Sequence, residues 1–221
     1  MAVHRSPLWI VILLIILIPL ILYLFNLNIY TFDEGFHQKE FSKYSVQEKL
    51  SGENIRELNQ NVLDFFKGKK ELPDFFNARE KEHLLDVKNL VNLAAKLLIG
   101  LVVLFLILLF FLSFFLRASF KTMKYLSIIF IVGSGLTIFL TLFFWQNLKS
   151  NFLGFFTSFH DALFDPGTWA FNPDFEKMVV LYPQEFFQDI GVKIATNTLW
   201  MAAALLVAGI VLWVLFKKKR V

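Results

Sequence analysis

The side chains of this chain that can do chemistry are few and easily located. None of its 221 residues is a cysteine, so no thiolate can serve as nucleophile or ligand and no disulfide braces any exported part. Its histidines are His4, His37, His83 and His160. His83 is followed closely by Asp86 and His160 by Asp161. Each of these two lies roughly fifteen residues from a long apolar block, which places both near one membrane interface. A lone histidine is usually a satisfied polar residue, but a pair of them can transfer protons. Imidazole titrates near pH ~6.5, so one ring can take a proton from an attacking amine while another returns one to a leaving alkoxide. If the stretch around His83 is helical, Arg79, His83 and Asp86 share a face at i, i+4 and i+7. Arg79 can then hold a carboxylate or carbonyl oxygen, and Asp86 can fix the imidazole tautomer. Ordinary surface ion pairs account for the same residues equally well.

Other chemistries have less support. No Gly-x-Ser-x-Gly elbow is present, and Ser158, two residues before His160, stands in a phenylalanine-rich run that does not resemble one. There is no His-Glu-x-x-His motif, and the spacing of the histidines forms no metal-ligand pattern. No glycine-rich phosphate loop occurs, so no cofactor is expected. The net charge of +4 sits beside apolar blocks, where membrane topology explains it, and nucleic acid is not an expected partner. The apolar blocks themselves carry no paired charges of the kind that lines an ion pathway.

The elements that must position the histidines follow from hydropathy. The chain is 57% hydrophobic, unevenly distributed, with apolar blocks at 8–25, 97–116, 125–145 and 199–216. Each is long enough to cross a bilayer as a helix. The first follows Arg5 and lacks a small-residue cleavage pattern, which predicts an uncleaved anchor, kinked at Pro19. Asn77 with Glu80 three residues on predicts a helix start. From there the chain runs without a breaker into the second block, so one helix should carry His83 and a membrane span together. Ile55, Leu58, Val62, Phe65 and Phe66 recur at helical spacing and predict an amphipathic helix. Ser45 with Glu48 predicts another cap, Asp165-Pro166-Gly167 a turn, and Asn172-Pro173 a helix start. A strand near 28–32 remains open. Gly133, Gly135, Ala204 and Ala208 are expected packing sites, and Lys96, with Lys88 and Asn92 on its face, either snorkels or lines a groove for a lipid headgroup.

The expected fold class is an all-α membrane protein, four transmembrane helices with a mainly helical extracellular cap. The divisions are a first span in 1–27, cap in 28–90, a second span in 91–116, a cytoplasmic loop at 117–124, a third span in 125–145, cap again in 146–196, and a fourth span with a basic tail in 197–221. Arg5, the loop residues Arg117, Lys121 and Lys124, and the tail Lys217, Lys218, Lys219 and Arg220 fall on one side, which places both termini in the cytoplasm. Phenylalanine is so dense between 155 and 189, with Trp169 and Tyr182 added, that those rings must pack on the cap, on the membrane or around an apolar ligand.

FNAREKEHLLDVKNL, beginning at Phe76, and FHDALFDPGTWAFNPDFEKMVVLYPQEFF, beginning at Phe159, resemble the bacterial lipoprotein intramolecular transacylase family. The resemblance covers essentially the whole chain. It implies four transmembrane helices under an extracellular cap and a diacylglyceryl lipoprotein substrate with a free N-terminal cysteine amine. It also implies transfer of the sn-2 acyl chain to that amine, giving the lyso form, at two histidines that match His83 and His160. Donor and acceptor then belong to one molecule, which the enzyme has mainly to fold back on itself in a dry pocket. Trp169 and the phenylalanines can supply that surround, and Arg79, Asn172 and Tyr182 are candidate oxyanion donors. The expected partners are a diacylated lipoprotein and membrane lipid. Two other readings stay open: a non-enzymatic accessory protein for exported lipoproteins, and a metal-dependent membrane hydrolase. Nothing in the residues sets the oligomeric state or says which histidine is the base.

Overall fold

In the computed structural model, residues 8–117 and 119–218 are described, and among them every regular element is helical. Nine helices follow in order: α1 (Leu8–Thr31), α2 (Glu34–Lys43), α3 (Val46–Lys49), α4 (Ile55–Phe66), α5 (Ala78–Leu116), α6 (Ser119–Ser150), α7 (Phe152–Leu163), α8 (Met178–Leu181) and α9 (Gln184–Lys218). Four of these, α1, α5, α6 and α9, are long and apolar enough to cross a membrane. Arg5, Lys219 and Arg220, part of the basic pattern used for orientation, lie outside the described residues, as does His4.

The chain divides into two compact units. The first comprises residues up to Asn26, Lys96–Phe144 and the segment from Ala195 onward. One face of α1 (Ile10, Val11, Leu14, Leu17, Ile18 and Leu22) packs with Leu108 and Leu112 of α5, Ile129 of α6 and Ala202 of α9. The opposite surfaces keep large apolar groups outward, Phe110, Phe139 and Trp200 among them. In water that would be costly, whereas hydrocarbon solvates it. Close approach comes from small residues, as expected at Gly133, where an added Cβ would meet Ile18 Cδ1 at 2.4 Å. Ala204 and Ala208 are exposed, contrary to expectation; Ala195, Ala202 and Gly209, each seven apart, are small residues of α9 that are buried instead. Some polar groups inside this unit are paired across helices. Asn26 Nδ2 donates to Thr198 Oγ1 at 3.1 Å, Asn197 Nδ2 donates to Asn26 Oδ1 at 2.6 Å, and the Tyr23 hydroxyl donates to Thr141 Oγ1 at 2.7 Å.

The second unit comprises Leu27–Ala95 and Trp145–Ile194. Its core is built on α4, whose Ile55, Leu58, Val62, Phe65 and Phe66 are all buried, together with Phe41, Val46, Phe76, Leu84, Met178, Leu181 and Phe186. The α4 start is capped by Asn54, whose side chain accepts from Glu57 N at 3.2 Å. His37 is a satisfied core residue: Nε2 donates to Tyr30 O at 3.0 Å and Nδ1 lies 3.1 Å from Asn59 Oδ1.

Several local expectations change. The helical conformation of α1 continues to Thr31, so 28–32 is no strand. The loop expected at 117–124 is shorter, since Arg117 leaves α5 at φ 47° and α6 begins at Ser119. The fourth long helix begins at Gln184, far ahead of its apolar block, after Pro183. Apolar composition marks only the part of a helix that lipid surrounds; polar turns of the same helix carry no such mark. Ser45 does not cap with its side chain, because its backbone is left-handed, at φ 51°. Asn172-Pro173 opens a single turn, and α8 starts only at Met178.

Candidate active site

His83 and His160 both belong to the second unit, and it brings their rings together. The centroids are 6.2 Å apart, with planes 21° from parallel. Ring nitrogens sit ~1 Å from their centroid, so no nitrogen of one ring comes closer than about 4 Å to one of the other, beyond direct hydrogen-bond reach. A third ring, Phe164, touches both, at 4.8 Å from His83 and 5.3 Å from His160. Phe171 closes on His83 at 5.3 Å, and Phe156 and Trp169 close on His160 at 4.0 and 4.9 Å. Aromatic rings thus wall both imidazoles; His83 is buried and His160 half-buried.

That enclosure sets their protonation. Burial is the first cause that lowers the His83 pKa, to about 4, and the nearby His160 and Arg79 charges push the same way. His160 is also lowered by burial, against the opposing pull of its hydrogen bond to Phe156 O and of Asp161. Both rings are therefore neutral at neutral pH. His160 Nδ1 lies 2.7 Å from Phe156 O, and a carbonyl can only accept, so Nδ1 carries the proton and Nε2 keeps its lone pair. His83 is 6% exposed and its buried Nδ1 has no hydrogen-bond partner among the described residues. A buried polar atom left unpaired in a dry pocket is the kind of group that a ligand's polar atom satisfies.

The elements that hold this pair are fixed locally. The α5 start is a reciprocal cap, as the sequence predicts: Asn77 Oδ1 accepts from Glu80 N at 2.9 Å, and Glu80 Oε2 accepts from Asn77 N at 2.7 Å. Glu80 does more than close the cap. It is 1% exposed, and its Oε1 accepts from Met178 N at 2.6 Å, fastening the start of α8. Arg79 binds the segment between α7 and α8. Its Nη1 donates to Glu176 at 2.6 Å, its Nη2 donates to Ala170 O at 2.6 Å and Gly167 O at 2.8 Å, and the guanidinium covers Phe171 at 4.6 Å. Glu176 in turn accepts from Asn172 N at 2.5 Å, and that bond, with Arg79, holds its carboxyl below the usual range. Gly167, at φ 86°, makes the turn after Asp165-Pro166 that a side chain would strain. Two adjacent residues of α5 thereby hold the strap that carries Phe164, Trp169 and Phe171.

The seven side chains singled out from the sequence divide clearly. His83, His160 and Trp169 meet. Arg79 is near, but its donors are committed to Glu176 and two carbonyls rather than open for an oxyanion. Asp86 makes no hydrogen bond to His83; it lines a cleft of about 310 Å³ with Asn89, Leu90, Leu93, Leu163, Phe164 and Asp165. Asn172 shapes its own turn, accepting from Asp174 N at 3.0 Å. Tyr182 stands elsewhere, packed on Phe41 and Phe186 with its hydroxyl donating to Asn59 at 2.9 Å. The sequence reading did not single out Phe156, which lies four residues before His160 on its own helix face, a spacing that could have found it, nor Phe164, which follows the end of α7 in extended backbone. It also missed Glu176, for which no local signal exists. Among the described residues no group of three or more His, Asp or Glu is disposed to hold a metal ion.

The fold is shared with solved structures. The membrane integral lipoprotein intramolecular transacylase Lit from Bacillus cereus superposes with a TM-score of 0.78 at 17% identity, covering 97% of this chain and 97% of that one. Two variants of that protein, in which a histidine is replaced by alanine or by arginine, match with a TM-score of 0.77 at 18% identity. Each covers 97% of this chain, and 95% and 93% of the respective variants. No curated protein matches. The family model described as lipoprotein intramolecular transacylase Lit matches residues 12–187, well over half the chain. This chain, an integral membrane acyltransferase, belongs to the lipoprotein intramolecular transacylase family.

Proposed function

We propose that this enzyme moves the sn-2 acyl chain of a diacylglyceryl lipoprotein to the amine of its N-terminal cysteine, with His160 and His83 in different roles. The observation that carries the reading is the pair of imidazoles with centroids 6.2 Å apart among aromatic rings, one of them with its tautomer fixed by the Phe156 carbonyl. The amine nitrogen attacks the ester carbonyl carbon, and a tetrahedral oxyanion forms. His160 Nε2 removes the amine proton; the ring then carries a charge that Asp161 favours. The bond from carbon to glyceryl oxygen breaks, and the same proton returns to that oxygen, so the product is an isomer of the substrate. His83 stays neutral throughout and offers an N–H to the oxyanion, a task for which a low pKa is an advantage. Aromatic walls exclude the water that would otherwise hydrolyse the ester.

Topology enters the proposal as well. The second unit is read as an extracellular cap, and both termini as cytoplasmic, from the basic residues Arg117, Lys121, Lys124 and Lys217. Arg79 and Asn172 position the strap in this reading, and Asp86 borders the route by which substrate enters.

The test is an assay of the purified protein in lipid on a defined diacylglyceryl lipopeptide, read by mass spectrometry. Rearrangement at constant mass, with fragmentation locating the acyl chain on nitrogen, is the expected result. Loss of fatty acid to water would replace transfer by hydrolysis, and an unchanged substrate would leave an accessory role.

A further inference from the structure

No residue of α7 is buried, although most of its side chains are apolar. At 100° per residue, Phe152, Phe155, Phe156, Phe159 and Leu163 fall on one broad face, and Gly154, Thr157, Ser158 and Asp161 fall on the other. The apolar face has two flanks. One packs inward: Phe156 meets His160, Trp169 and Phe187. The other, a stripe of Phe155, Phe159 and Leu163 spaced four apart, is exposed at 37%, 41% and 47%. An apolar stripe of this kind is covered by something in the working protein.

The chain leading into α7 identifies the cover. Near the end of α6, Phe139, Leu142 and Phe143 point outward, as a lipid-facing surface does. Trp145 follows, with Lys149 Nζ 5.1 Å from its ring, a pairing suited to the headgroup level. One residue, Asn151, separates α6 from α7, and its side chain caps α7 by accepting from Gly154 N at 3.2 Å. The chain thus runs from a span, through an interfacial anchor, directly into α7.

We propose that α7 is an in-plane membrane helix, with Phe155, Phe159 and Leu163 seated among the acyl chains of one leaflet and Thr157, Ser158 and Asp161 facing the headgroups and water. Its polar face lacks lysine and arginine, so apolar burial rather than anionic headgroup attraction holds it. The lipid contact does not depend on the catalytic assignment. If that assignment is also right, the helix carries His160 at the depth of a lipid ester and admits substrate sideways from the bilayer.

The chain has no cysteine, so single cysteines can be introduced without background. Nitroxide labels at Phe155, Leu163, Thr157 and Ser158 of the full chain, reconstituted one copy per phosphatidylcholine nanodisc, report collision with oxygen and with a water-soluble nickel chelate. The expected result is oxygen in excess at 155 and 163 and the chelate in excess at 157 and 158. Chelate in excess at 155 and 163 overturns the proposal, as does shielding from both reagents, which would mean a protein cover. Should labelling at Phe155 lower the yield, Leu163 decides alone. The readout is independent of turnover, so it separates a failed lipid contact from a failed reaction scheme.

Discussion

Two neighbouring imidazoles that both had to be charged would lose function as pH rises; here neither is charged at neutral pH, so function is lost as pH falls. His83 stays uncharged because bringing a proton into its aromatic enclosure costs more than in water, and the neighbouring His160 and Arg79 add to that cost. The acid limb of kcat at saturating lipopeptide, which reports groups in the bound complex rather than the free substrate amine, should therefore have its midpoint below the ordinary histidine value of ~6.5, since the base His160 must be neutral and its pKa is lowered. A midpoint above it, in a pH series on the lipopeptide, would contradict the assignment. The same shift acts on stability. As pH falls from ~6.5 toward 4, an unfolded chain takes up a proton that folded His83 refuses, so the native state loses stability over that window. His160→Asn should lower kcat by ~10²–10⁴, the range for removing a general base. In that variant the His83 resonance should titrate higher than in the parent, because one of its depressing charges is gone. It should still titrate below ~6.5, because burial, the larger cause, remains.

The helix α5 and the strap between α7 and α8 show why some of the site could be read in advance and some could not. Asn77 and Glu80 stand three apart in a pattern whose physics is local, and the cap forms as read. The face shared by Arg79, His83 and Asp86 is equally local, but helical spacing fixes only direction, not partner. Glu176 lies 97 positions from Arg79, and no periodicity links them. The same limit applied to Tyr182, whose type suited an oxyanion site but whose surroundings, Phe41, Phe186 and Asn59, put it in the core. Positive charge and planar geometry at Arg79 can be separated by substitution. Arg79→Lys keeps the charge but loses at least two of the three hydrogen bonds and the flat cover on Phe171. It should lower kcat by roughly 10-fold or more while the His83 pKa stays low, misplaced reacting groups being costly at small displacements. Arg79→Gln should cut activity as well and, in addition, raise the His83 pKa, since a depressing charge is gone. If NMR titration shows the same His83 value in both variants, Arg79 acts on the strap alone. Glu80→Gln replaces one acceptor by a donor facing a backbone N–H, at Asn77 or at Met178, and should cost about 1–3 kcal/mol in denaturant unfolding.

At the scale of the whole chain, α1, α5, α6 and α9 each cross the membrane in the proposed topology, so an even number of crossings puts the residues before α1 and after α9 on one side. The direction comes from the turn at Arg117 and the lysines 121 and 124 near the start of α6, which should be retained in the cytoplasm. The second unit carries charges of both signs and is long enough for the basic rule to lapse, so it offers no opposing vote. Exposed positions are available in both regions: Ser51, between α3 and α4, and Lys121, in the first turn of α6. Each is replaced by cysteine in turn and treated with a membrane-impermeant maleimide. In intact bacterial cells with an accessible outer face, the Ser51→Cys protein should label at once and the Lys121→Cys protein only after permeabilisation. The converse pattern would place His83 and His160 on the cytoplasmic face. Those residues share their unit with Ser51, so the amine they act on would then have to be a cytoplasmic one, and an exported lipoprotein terminus could not reach them.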